Sequence, residues 1–337
     1  MNNKEKIKEL DFARTLAVLG VIIAHFSSAN KTQFPNAEYN NLSLSSLSVC
    51  CFLMISGIAM FYRYDGIPNI WQYFKKQWLR LFPAFYLVWC VFYIEKVCQR
   101  GSFIYNGVES IPTFFLTLIG FDGYLLYAFP KGYYITGEWF FGAIIILRLL
   151  FPVILRVMKR PVLGIGGVIG LYIISFLFPI TAMYRLRTIP YCLFCFMIGW
   201  GIQKYKLWRS QIACLLSTII LLCVFMLKLP ITRIEIYTPL AGFCLIIIEL
   251  AIGTMICRYK PFEKLFARIS GLSYNIYLLQ HIIIYRIFES DEFKRLDSVR
   301  MTLLLLFTIT VIYMCAKGLD MILYHIIGGR NVSKQLK

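Results

Sequence analysis

The sequence predicts an all-α fold: a polytopic bundle of about ten transmembrane helices, with both termini on the cytoplasmic side. Three observations predict it. Of 337 residues, 59% are hydrophobic and only 15% are charged, whereas soluble chains average about 45–50% apolar and 25% charged. Two soluble domains of this combined size could not hide so much apolar surface behind so few charges. A bilayer span uses about 20 apolar residues, so ten spans would take roughly 60% of the chain, close to its apolar share. Finally, the 35 Lys and Arg that produce the formal net charge of +18 divide unevenly between the two sides of such a bundle. The same composition excludes disorder, a disulfide scaffold and nucleic-acid binding.

Taken in order, the long apolar runs place helices at about 9–28, 45–63, 79–97, 135–157, 162–180, 188–203, 210–229, 237–257, 271–289 and 301–325. The segment 99–133 is the weak region. Its apolar run Pro112–Ile119 is too short to cross, and Gly120, Gly123 and Pro130 interrupt it, so a re-entrant or interfacial segment is expected. Most of the Lys and Arg fall on one side, in the groups Lys4–Lys8, Arg63–Arg80, Arg156–Arg160, Lys204–Arg209, Arg258–Arg268 and Arg330–Lys337. That asymmetry marks the cytoplasmic side and doubles as attraction to anionic headgroups.

The first span ends in Ser27-Ser28-Ala29, which has the look of a cleavage site, but Asp11 and Arg14 sit in its opening turns. It is therefore expected to stay uncleaved. Residues 1–337 are expected to form one integral membrane domain without an appended soluble domain. The outward segments near 29–44, 98–134 and 290–300 would form any extracytoplasmic entrance. The 11 cysteines lie almost all within spans, where free Cys packs as a small hydrophobe. Cys192-Leu193-Phe194-Cys195 has redox or zinc spacing, but no second pair or His cluster accompanies it, and no metal is expected.

Ionisable residues inside spans are costly and mark function. Arg14 and His25 are eleven residues apart, which is three helical turns plus about 20°, so both project from one face about 16 Å apart along the axis. Asp11, one turn before Arg14, is its expected partner. Arg grips phosphates with a rigid fork of donors, and a neutral imidazole can remove the proton from an attacking hydroxyl. The stripe thus suggests transfer of a group across the bilayer, with phosphates of a coenzyme A-type donor at one end and its thioester at the other. The opposing reading is that Arg14 snorkels to headgroups and His25 satisfies a helix–helix contact. Lys317 and Asp320 are expected to neutralise each other. Arg148 and Glu249 either pair across helices, or Arg148 lines a donor tunnel. His281 is expected to be a structural hydrogen-bonding residue, and His325 a surface one.

The stretch Leu10-Asp11-Phe12-Ala13-Arg14-Thr15-Leu16-Ala17, continuing to His25, resembles the opening of the membrane-bound acyltransferase-3 family, whose signature is Arg or Lys, ten residues, then His. Further stretches follow in the family's order. Phe52-Leu53-Met54-Ile55-Ser56-Gly57 is similar to its second span and Arg80-Leu81-Phe82-Pro83 to the basic entry of its third. Gly137-Glu138-Trp139-Phe140-Phe141 with Pro152 is similar to its fourth, and Ser273-Tyr274-Asn275-Ile276-Tyr277-Leu278-Leu279-Gln280-His281 to its penultimate span. The resemblance covers most of the chain. It implies a bacterial cytoplasmic-membrane enzyme that takes an acyl group, typically acetyl, from cytoplasmic acyl-CoA to a hydroxyl of a surface polysaccharide or its lipid-linked precursor. Acyl-CoA is a co-substrate, and no resident cofactor is implied. Carried over, His25 is the general base and Arg14 assists it or holds the donor. Arg80 and Lys76, with Arg148, draw coenzyme A phosphates.

Glu138, Trp139, Tyr134 and Ser56 are acceptor-side or orienting candidates. Glu138 is equally readable as a carboxylate favoured by a helix N-terminus, and the aromatics Tyr133, Tyr134 and Trp139 as an interfacial belt. Two departures stand out. The family often carries Arg-x-x-Arg before the third span, where this chain has Gln77 three residues before Arg80; Lys75 and Lys76 are the candidates to supply the charge. Many members also carry a C-terminal extracytoplasmic domain for which there is no room here, which leaves direct transfer or a separate partner protein. The rival functions are a glycan or lipid transporter or flippase, a glycan polymerase, and a structural membrane subunit. The first should show inverted repeats and the second a larger outer loop; the third gives no reason for Arg14 and His25 to share a face.

Overall fold

The computed structural model describes residues 6–30, 32–64, 66, 69–103, 111–121, 123–125, 139–178, 181–227, 230–293 and 296–326. Helix α1 (Glu9–Ala29) opens the chain. The buried Asn30 organises the loop beyond it. Its Nδ2 donates to the Phe26 and Phe34 carbonyls at 2.7 and 2.8 Å, and its Oδ1 accepts from the Phe34 amide at 3.0 Å. A small antiparallel hairpin follows, β1 (Glu38–Tyr39) and β2 (Leu42–Ser43), with Glu38 opposite Ser43. Its two-residue turn is Asn40-Asn41 at φ 48° and 63°, the left-handed pair such a turn requires and asparagine tolerates. No apolar run announces a hairpin this short, and none was expected.

Helix α2 (Leu44–Arg63) returns through the bundle. Helix α3 (Ile70–Arg100) begins nine residues earlier than its apolar run, because Asn69 caps it by accepting the Gln72 amide at 3.1 Å. At 31 residues it is about 46 Å long and overshoots the roughly 30 Å hydrocarbon layer. The weak region contains one described helix, α4 (Ile111–Leu118), eight residues long and too short to cross. It packs on α3 through a hydrogen bond from the Tyr86 hydroxyl to the Leu118 carbonyl (2.6 Å) and through Trp89 against Phe114. Next come α5 (Trp139–Val157), α6 (Pro161–Ile174), the single-turn α7 (Ala182–Arg185), α8 (Ile189–Tyr205), α9 (Gln211–Met226) and α10 (Ile234–Ile256). The chain closes with α11 (Lys260–Gly271), α12 (Ser273–Ile287) and α13 (Ser298–Ile326).

All ten helices expected from the apolar runs are present. Six of them, α1, α2, α3, α5, α10 and α13, are long and apolar enough to cross a membrane, while α9 and α6 with its extension to Leu177 are shorter apolar helices. The protein is an all-α polytopic membrane protein. The helices alternate in direction, as contacts at the two ends show. At the face carrying the start of α1, here the N-terminal face, the Trp208 indole donates to Glu9 at 3.3 Å and Lys8 pairs with Glu263 at 3.0 Å. At the far face, Asn40 donates to the Phe225 carbonyl at 2.7 Å and Arg286 pairs with Glu95 at 2.6 Å. Helix α11 is an addition to the expected set. It mixes charged and apolar residues, so a search for unbroken apolar runs passes over it.

Helix α2 is the hub, packed by α1, α8 and α10. It meets α8 backbone to backbone, because a Cβ on Gly57 would fall on the Phe196 carbonyl oxygen and one on Gly199 on that of Met54. Small residues at a membrane crossing give this close approach, since lipid supplies no hydrophobic drive between helices. One core gathers around α2 and α8 and includes Leu10, Ala13 and Ala17 of α1; the other gathers around α3, α12 and α13 and includes Val18, Ile22 and Phe26. Helix α1 is therefore the seam between two packed halves. On the outside, Leu215, Ile219 and Leu222 of α9 and Leu303, Leu306 and Phe307 of α13 are exposed, as lipid-facing helices require.

Candidate active site

At the far face, the seam opens into a cavity of about 490 Å³ walled by α1, the hairpin loop, the start of α2, the start of α5, Arg187 and α12. His25 of α1 and His281 of α12 stand side by side on its wall, with ring centroids 5.3 Å apart in an edge-to-face arrangement. Tyr285, one turn further along α12, packs its ring 4.4 Å from His281 and also lines the cavity. Among the described residues, neither imidazole has a side-chain hydrogen-bond partner. Among the described residues, the structural hydrogen bonding expected of His281 is thus replaced by ring contacts with His25 and Tyr285. Beside them, Gln280 is buried and its Oε1 has no hydrogen-bond partner among the described residues. A buried amide oxygen left so is costly and suits a ligand hydroxyl donor.

Trp139 also lines the cavity, and the Arg187 guanidinium lies 5.2 Å over its ring, a cation–π contact that fixes the indole plane. The charge of Arg187 also reaches His25. Glu38 of the hairpin adds a carboxylate to the rim. Along α1 the wall continues through Val21 to Val18, one turn, or about 6 Å, from Arg14.

At the N-terminal face, Arg14 is held in a polar knot. Its guanidinium donates to Ser270 Oγ at 3.0 Å, Ser270 donates to the buried Asp11 carboxylate at 2.8 Å, and Arg14 itself lies 3.8 Å from Asp11. The expected Asp11 partnership is present, with Ser270 of α11 as an unforeseen bridge. Arg80 lies within electrostatic reach of Arg14, Arg63 and Arg148, and Lys76 within reach of Arg63 and Arg80. No acidic side chain among the described residues pairs with Lys76 or Arg80. Arg148 does not meet Glu249, whose Oε2 is buried without a partner among the described residues. Its guanidinium donates instead to Gln77, and its carbonyl accepts the Tyr73 hydroxyl at 2.8 Å. Gln77, where charge had been expected, thus draws in a cation from a neighbouring helix. Both line a second cavity, about 460 Å³, that runs between α3 and α5 past Trp78 and Lys75.

The fold therefore sorts the expected residues into two groups. His25 and Trp139 meet at the far-face cavity, while Arg14, Arg80, Lys76 and Arg148 gather at the N-terminal face. Arg14 and His25 share a helix but not a cavity wall. Ser56 is half-buried one turn below Phe52 and is not among the cavity-lining residues. Glu138 and Tyr134, with Tyr133, lie outside the described residues. Lys317 and Asp320 are both exposed on α13 and make no ion pair with each other among the described residues, because their side chains do not converge across the turn. His325 is exposed as expected. Sequence reasoning missed Arg187, Gln280, Glu38 and Ser270. It read His281 as a structural residue, whereas the fold places it on the cavity wall beside His25; the rule that singled out His25, an ionisable residue inside a span, applies to both.

The fold defines a class: polytopic helical membrane proteins, here with a paired-imidazole cavity at one face and a cluster of cations at the other. Comparison with known families narrows it. The family model described as an acyltransferase domain matches residues 7–317, nearly the whole chain, and the protein belongs to this acyltransferase-3 family. No curated protein and no solved structure matches it.

Proposed function

We propose that this acyltransferase is an O-acetyltransferase that moves an acyl group from acyl-CoA at the N-terminal face to a hydroxyl of a surface glycan, or its lipid-linked precursor, at the far face. The observation that carries the reading is the His25–His281 pair. Two imidazoles that have no side-chain hydrogen-bond partner among the described residues stand on the wall of a roomy cavity that reaches to within a turn of Arg14.

In this reading, His25 takes the proton of an acceptor hydroxyl whose oxygen attacks the thioester carbonyl. The C–O bond forms, the C–S bond breaks, and the imidazolium returns its proton to the departing thiolate. Transfer is direct, from the thioester to the acceptor hydroxyl. Gln280 and Glu38 accept hydrogen bonds from sugar hydroxyls, and Trp139, held flat by Arg187, offers a stacking face. At the other end Arg80, Lys76 and Arg148, with Arg14, attract the donor's phosphates, for which guanidinium forks are well matched. The excess of Lys and Arg at the N-terminal face supports placing it in the bacterial cytoplasm.

The test supplies labelled acetyl-CoA to membranes containing the protein and follows label into glycan. His25→Ala should reduce incorporation by about 10²–10⁴-fold, the usual contribution of a general base, while the protein still inserts and accumulates. Ordinary activity in His25→Ala would overturn the mechanism.

A further inference from the structure

Helix α11 has three distinct faces. Lys260, Lys264 and Arg268 recur every four residues and form one stripe; all three are exposed, and no acidic side chain among the described residues pairs with them. Phe262 and Leu265 form a second stripe, 50% and 47% exposed. The third face grips the opening turns of α1. Phe266 meets Phe12 edge-on at 4.9 Å, Glu263 pairs with Lys8, and Ser270 bridges Asp11 and Arg14. The helix joins the end of α10 to the start of α12 at the N-terminal face, where a membrane surface lies.

We propose that α11 is an anionic-lipid-binding helix that couples the membrane surface to Arg14. Lipid phosphates seat on Lys260, Lys264 and Arg268, and Phe262 and Leu265 enter the headgroup–acyl boundary, the disposition of an interfacial amphipathic helix. A cation near an anionic surface is worth about fivefold in partitioning, so three give a lipid preference on the order of a hundredfold. Seating the helix fixes Ser270, and Ser270 fixes the Arg14 guanidinium. The lipid half stands on α11 alone; the donor half rests on the acyl-CoA reading.

The test places the full chain in nanodiscs of phosphatidylcholine with or without phosphatidylglycerol and counts retained phosphatidylglycerol by native mass spectrometry. Labelled acetyl-CoA binding is measured in the same discs. The K260Q/K264Q/R268Q variant should lose phosphatidylglycerol retention. R156Q/K159Q/R160Q, which removes three exposed cations from the same membrane face, should keep it. Retention by the first variant, equal loss by the second, or no retention by the wild type would overturn the proposal. Phosphatidylglycerol should raise acetyl-CoA affinity about tenfold in the wild type and in Ser270→Thr, which keeps the hydroxyl, but not in Ser270→Ala. A full rise in Ser270→Ala would overturn the coupling. Absence of acetyl-CoA binding in every disc would refute the donor reading while leaving the lipid count to decide the rest.

Discussion

Asp11 is the carboxylate on which the N-terminal-face site turns. It is 3% exposed, accepts the Ser270 hydroxyl at 2.8 Å, and lies 2.5 Å from Lys6 and 3.8 Å from Arg14. Asp11→Ala removes one partner of a buried charge pair, a change that costs about 3–5 kcal/mol when both charges are fully enclosed. Here the Arg14 side chain is 22% exposed and that of Lys6 63%, so Lys6 rehydrates freely and Arg14 in part. The charge contribution falls to about 1–2 kcal/mol, and the Ser270 hydroxyl left without its acceptor adds about 1 kcal/mol. The expected loss is thus about 2–3 kcal/mol for Asp11→Ala. It is about 1–2 kcal/mol for Asp11→Asn, which keeps an acceptor for Ser270. Reversible unfolding of the purified protein in a fixed detergent would measure both. Combining Asp11→Ala with Ser270→Ala should cost less than the sum of the two changes, because they disrupt one network. An Asp11→Ala protein within about 0.5 kcal/mol of wild type, or strict additivity with Ser270→Ala, would refute the reasoning.

Gly57→Ala and Gly199→Ala should each destabilise by about 1–3 kcal/mol through overpacking against backbone that cannot yield; their double variant should cost less than the sum, since one separation of α2 from α8 relieves both. Unchanged thermal midpoints would mean that the two helices do not touch through their backbones. His281→Gln retains bulk and polarity but removes the second proton-accepting ring. It should lower transfer about tenfold and alter its pH profile at unchanged protein level, as expected when a group aligning the reacting atoms is lost. An unaltered rate and profile would reduce His281 to a passive wall.

Much of this architecture is legible in the amino-acid order, because bilayer crossing imposes long apolar runs that need no tertiary information. The ten runs all became helices, and the three-residue spacing of Asp11 and Arg14 correctly implied contact. What is not legible depends on helices far apart in sequence. Gln77 and Arg148 are joined across α3 and α5, and Ser270 reaches Arg14 from a helix whose mixed polarity hides it from an apolar scan. Lys317 and Asp320 show the converse: helical spacing suggests a pair that the side-chain conformations do not form. At the far face, Gln280 reads as one polar residue in an apolar run, and only the packing of α12 against α1 reveals its unpartnered oxygen beside two imidazoles.

The central claim is that donor and acceptor meet the protein from opposite faces. It is tested most directly with the protein oriented in sealed vesicles that carry acceptor glycan only at the far face, with labelled acetyl-CoA supplied to one face at a time. Label should enter the glycan only when acetyl-CoA is given to the N-terminal face. Equal or greater labelling from acetyl-CoA confined to the far face would contradict the account.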